Sequence, residues 1–166
     1  MPLLKSGEIV ADPWVAVDDD AEIPADSPAI VSQERWLARA RDLAGRNAPL
    51  GIRLRSDQSP ETIAGDLDRF SLVALEFPHF KDGRAYSYAR LLRERYGFKG
   101  EIRAVGNVLR DQHLFMIRCG IDAFELRDGE TPAEWNKHAK AFSVFYQPAT
   151  DRRRTALELR RAHAAE

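Results

Sequence analysis

Apolar residues are arranged differently before and after residue 28. The first stretch has only short apolar runs. "LLKSGEIV" sets two of them around Ser6-Gly7, a hairpin signal, and "PWVAV" is expected to continue that hairpin. "DDDAEIPADSP" then interrupts with acids and prolines and is expected to be a loop or linker.

From residue 29 a strand–helix rhythm takes over. "AIVS" predicts a first strand, and its Ser32 caps a helix with Trp36, Ala40, Leu43 and Ala44 on one face. "PLGIRLRSD" predicts a second strand. In "SPETIAGDLDRF" Ser59 is the cap, Pro60 takes the first turn, and Ile63, Leu67 and Phe70 form a buried stripe. "LVALEF" is the third strand. The helix after it starts near Asp82, buries Ala85, Tyr88, Leu92 and Tyr96, and ends at Gly97. "GEIRAVG" is the fourth strand, and a helix over about 108–119 buries Val108, Phe115 and Cys119. "DAFELR" is the fifth. Thr131-Pro132-Ala133-Glu134 reads as a capping box, with Trp135, His138 and Phe142 along the helix it opens. "FSVFYQP" is expected as a last strand. The organisation is therefore a hairpin and acidic linker over residues 1–26, an α/β domain over 27–149, and a basic tail over 150–166.

Strands that alternate with helices imply a mainly parallel sheet with right-handed crossovers. Side-chain parity then chooses between architectures. Arg53, Glu76, Arg103 and Glu125 each lie between apolar neighbours, so they point to one face and the apolar residues to the other. A doubly wound sheet buries both faces under helices and wants inner strands that are apolar throughout. The pattern instead predicts a partial (β/α) barrel of five βα units, preceded by the N-terminal hairpin. A flavodoxin-like doubly wound sheet is the competing arrangement. The charges alternate in sign from strand to strand, so neighbours are expected to pair.

Composition narrows the class. Of 166 residues, 44% are hydrophobic and 31% charged, as in a water-soluble globular chain. No apolar run has the length of a membrane span, and the N-terminus lacks a signal-peptide core. A lone cysteine, Cys119, excludes a disulfide framework and suits a cytoplasmic setting. Residues 1–26 carry one lysine and seven acids, net −6, whereas 151–166 carry net +2. That terminus is expected to be a solvated tail rather than a nucleic-acid-binding face.

Ligands of parallel sheets gather at the carboxyl ends of the strands. Two connections bring polar groups there: Asp82, Arg84, Tyr86 and Ser87 after Glu76, then Asn107, Arg110, Asp111, Gln112 and His113 after Arg103. Asp82 and Asn107 are also good helix caps, the simpler expectation for each alone. A metal shared by His79 and His113 has no supporting spacing. His138 and Cys119 are expected to be packed rather than reactive. No Walker loop, dinucleotide fingerprint or nucleophile elbow occurs.

The segment "EFPHFKDGRAYSYARLLRERYGFKGEIRAVGNVLRDQHLFMIRCGIDAFEL" resembles the bacterial family called domain of unknown function nine hundred thirty-four. Phe77, Pro78, Phe80, Asp82, Gly83, Arg84, Tyr86 and Ser87 fit its pattern, as do Arg103, Gly106, Asp111, Gln112, Arg118 and Gly120. Ala85 stands where the pattern has glycine, and Asn107 where it has Asp. The family is typically encoded beside assimilatory sulfite reductase and is often labelled an oxidoreductase. The resemblance therefore implies an accessory protein of sulfite reduction. No residue pattern indicates siroheme, flavin or iron–sulfur ligation, and one cysteine cannot hold a cluster.

Three functions stay open. The first is binding of a partner, sulfite reductase or another sulfur-assimilation protein, or of a small anion through Arg84, Arg103 and Arg110. The second is acid–base catalysis by Glu76 and Asp111 with Arg84 as anion clamp. The third is a redox protein whose cofactor the sequence does not name. A homo-oligomer is compatible with each.

Overall fold

Each apolar run that alternates with charges becomes a strand of one sheet. A computed structural model of the protein, describing residues 1–164, orders eight strands β2-β1-β8-β7-β6-β5-β4-β3. They are β1 (Leu3–Lys5), β2 (Glu8–Val10), β3 (Val15–Ala16), β4 (Ala29–Ser32), β5 (Leu50–Leu54), β6 (Leu72–Phe77), β7 (Glu101–Gly106) and β8 (Ala123–Glu125). Neighbours from β3 to β8 pair in parallel, while β1 pairs antiparallel with both β2 and β8. The product is a curled, mostly parallel half-barrel with the N-terminal hairpin on one edge. This is the expected barrel-like architecture, and its strand order differs from that of a flavodoxin-like sheet.

Helices cover the outer face. They are α1 (Gln33–Leu43), a 3₁₀ helix (Pro60–Arg69), and α2 (Arg84–Arg90) running on through a π-helical turn (Leu91–Arg95). A 3₁₀ turn (Arg110–Gln112) then leads into α3 (His113–Arg118), followed by α4 (Pro132–Ala139) and α5 (Ala156–His163). The main core joins Val31, Ile52, Leu75 and Ile102 of the sheet to Trp36, Ile63, Leu92, Met116 and Trp135 of the helices. A smaller cluster, Ile30, Leu72, Ala74 and Val105, occupies the inner face beneath Trp14. Gly51 makes that contact possible, because a Cβ there would stand 3.2 Å from the Trp14 ring.

Several expectations are corrected. "PWVAV" does not continue the hairpin. The chain crosses the inner face instead, and β3 forms the far edge beside β4. The apolar floor under Trp14 supplies the reason. Phe115 is exposed, because α3 starts only at His113 and so turns His113, Leu114 and Met116 inward. "FSVFYQP" forms no strand among the described residues, only an isolated bridge from Phe145 to Thr155. Phe142 accordingly does not join the buried face of α4. Part of the basic terminus is helical. Thr155 and Glu158 make a reciprocal capping box that starts α5.

Candidate functional site

The charges whose parity marked the inner face do lie there, on consecutive strands β5, β6, β7 and β8. Arg53 donates from Nη2 to Glu76 Oε2 at 3.0 Å. Arg103 Nη1 stands 4.0 Å from Glu125 Oε1. The remaining neighbour pair, Glu76 with Arg103, is not made among the described contacts. Arg103 instead donates from Nη1 and Nη2 to the two oxygens of Asp12 at 2.7 and 3.1 Å. Its Nε donates to Glu101 Oε1 at 2.9 Å, and Lys5 Nζ donates to Glu101 Oε2 at 2.7 Å. Arg103 is thereby only 1% exposed, and a charge so placed must be compensated locally. Burial raises the Glu125 carboxyl pKa, and the nearby Arg103 charge works against that rise.

A cleft of about 380 Å³ opens at the carboxyl ends of β4, β5 and β6. Arg53, Glu76, Arg55, Glu34, Gln58 and Asp19 line it. Its charges are largely satisfied within the cleft. Arg55 pairs with Glu34, Gln58 donates to Glu34 at 2.9 Å, and Ser32 donates to Asp19.

The rim residues are also engaged. Arg84 donates to Asp82 from Nε at 3.0 Å and Nη2 at 2.6 Å, and from Nη2 to Ser56 at 3.1 Å. These guanidinium hydrogen bonds hold the Asp82 carboxyl well below the usual carboxylate range. Asp82 also accepts from the Arg84 amide, but Gly83 occupies the N-cap position of α2. Asp82 therefore orders the turn one residue earlier than a cap would. Asn107 is not a cap either: its Oδ1 accepts from Arg127, and its backbone N–H donates to the Phe77 carbonyl. Gly106, at φ +89°, turns the chain there. Arg110 donates to Glu134 at 2.9 Å.

Tyr86 sets its ring edge-on against Phe77 and Phe115, with centroids 5.2 and 4.7 Å away. That packing faces away from the inner-face cleft. Tyr86 and Ser87 line a different pocket, between α2 and α3. Asp111 is exposed and Gln112 half-buried in the turn before α3. Neither borders the cleft that Glu76 lines. His113 is buried, its Nδ1 is 2.9 Å from the Trp135 carbonyl, and its ring packs on Phe124. His79 is exposed. Among the described residues no cluster of three or more His, Cys, Asp or Glu is placed to hold a metal ion. No described helix is long and apolar enough to cross a membrane.

The sequence did not single out Asp12, Glu34, Arg55 and Gln58. Asp12 had one usable signal, an acid two residues before a tryptophan in a strand-poor stretch. Its partner lies 91 residues away, beyond any local pattern.

Among curated proteins, none matches this chain. A protein-family model does, from residue 51 to residue 157, across β5 to β8 and the helices between them. The chain therefore belongs to the family described as bacterial protein of unknown function (DUF934).

Proposed function

We propose that this protein is an accessory factor of assimilatory sulfite reduction that works by holding a protein partner. The sulfur-assimilation part of this reading rests on the resemblance of the segment around residues 76–126 to a family encoded beside sulfite reductase. The partner-binding part rests on one observation. Phe142, Val144 and Tyr146, at every second position of an irregular segment, are 67%, 55% and 90% exposed. Large apolar side chains grouped in this way are characteristic of protein-contact surfaces. A small anion held jointly by Arg84, Arg103 and Arg110 is the weaker form. Each of the three already donates to a carboxylate of this chain.

The test is affinity purification of the tagged protein from native lysate, probed for sulfite reductase. Co-purification is expected, with about tenfold less partner when Phe142, Val144 and Tyr146 are all changed to Ser. No enrichment, together with normal sulfite reduction after deletion of the gene, rejects the reading.

A further inference from the structure

A second pocket, of about 250 Å³, lies on the outer face between α2 and α3 and is bordered by residues 147–149. Its charged lining is Arg90 and Arg118, and no carboxylate lines it. The cleft on the inner face differs, since acids and arginines are mixed there.

The two arginines are held from behind. Arg90 gives Nε and Nη2 to Glu94, at 3.2 and 3.0 Å. Its Nη1 makes no hydrogen bond among the described residues. Arg118 donates to Asp151 at 3.3 Å and to the Gln147 carbonyl at 2.7 Å, and lies flat over Phe145, 3.9 Å from the ring centroid. Both guanidinium groups are thus positioned by contacts that restrict their rotamers, a condition for selective recognition.

The decisive group is Tyr86. Its hydroxyl is buried and has no hydrogen-bond partner among the described residues. Buried hydroxyls are nearly always satisfied, so an orphan one calls for an explanation. Phe77 and Phe115 pack edge-on against the ring and restrict its rotation, and the Tyr86 side chain lines the pocket. Burial, with the Cys119 thiol and the Asp111 carboxylate adding to it, pushes the phenol up to about 12. It therefore remains a donor at neutral pH. Burial likewise pushes the Cys119 thiol up to about 11, so this wall is uncharged.

We infer that this pocket binds a small oxyanion, which accepts from the Tyr86 hydroxyl and the free edge of Arg90 with Arg118 adding charge. A volume below the roughly 300 Å³ of sites for drug-sized molecules limits it to a compact anion or the anionic end of a larger one. The inference does not rest on the partner reading: Phe142, Val144 and Tyr146 do not line the pocket, although Phe145 and Gln147 of the same segment hold Arg118.

Calorimetric titration of the whole protein with sodium sulfate and with sodium phosphate, at constant ionic strength, tests the inference. Phenyl phosphate is the third probe. Saturable binding of at least one probe is expected, about tenfold weaker in Tyr86→Phe and in Arg90→Gln. Preference for phenyl phosphate over phosphate assigns the site to the end of a larger molecule, and the reverse assigns it to the free ion. Tyr86→Phe removes an unpartnered hydroxyl, so it is expected to melt no lower than the parent protein. That keeps loss of binding separate from loss of fold. No saturable binding of any probe, or equal affinity in the parent and Tyr86→Phe, overturns the inference.

Discussion

Arg103 carries its charge inside the protein because three carboxylates surround it. Taking Arg103 to Met leaves Asp12, Glu101 and Glu125 facing one another with no central cation. The expected loss is about 3–5 kcal/mol by urea denaturation, the range for breaking a buried ionic cluster on one side. A loss under about 1 kcal/mol would mean the cluster behaves like a surface pair. His113 has the opposite problem. Burial lowers its pKa from 6.5, the Trp135 carbonyl opposes that shift, and His138 adds to it. The unfolded chain then takes up a proton that the folded one resists. Stability is lost as pH falls through about 6.5, and it keeps falling until the folded imidazole also titrates. Melting temperature followed from pH 8 downward is expected to show this slope, and His113→Leu is expected to flatten it.

Elements differ in how much of the fold they carry. α5 has a full capping box and no buried residue of its own, and its buried N-cap Thr155 bridges to Phe145. Thr155→Ala is expected to cost that helix about 1 kcal/mol. The change is expected as faster amide exchange over residues 156–163, with the main thermal transition unmoved. A shift of the main transition would show that α5 is packed after all. Strand positions and the charged inner face were legible because parity is local: Arg53, Glu76, Arg103 and Glu125 declare their face through their immediate neighbours. Helix faces were less legible. Counting from residue 108 puts Phe115 in the core, but the chain makes a 3₁₀ turn first, and the count slips. "FSVFYQP" alternates like a strand, yet no sheet edge receives it. The rim residues were individually identifiable, whereas their partners were not. Nothing near Asn107 announces Arg127, and nothing near Glu76 says that its cation is Arg53 rather than Arg103.

At the scale of the whole molecule, residues 1–17 hold the half-barrel together. β1 closes one edge on β8, β3 closes the other on β4, and Asp12 and Trp14 span the floor between them. An open curled sheet would otherwise expose both edges and its inner face. Trp14→Ala is expected to free the crossing without dismantling the parallel sheet. Limited proteolysis should then cut between residues 11 and 20 several-fold faster, while the bonds within β4 to β8 stay as resistant as in the parent protein. Equal cutting rates in both proteins would show that Trp14 does not secure the strap.

This strap also sets an order of events on the ribosome. Leu3, Leu4 and Asp12 are made first, whereas their partners Glu125, Phe124 and Arg103 follow only after β4, β5 and β6. At about 5–20 residues per second, the segment waits on the order of ten seconds before its sheet exists. During that interval Leu3 and Leu4 lack their β8 neighbours. The seven acids among residues 1–26 are expected to keep the nascent segment hydrated until β7 and β8 emerge. Asp12 thus serves the finished fold, and the charge excess around it is expected to serve while the chain is still being synthesised.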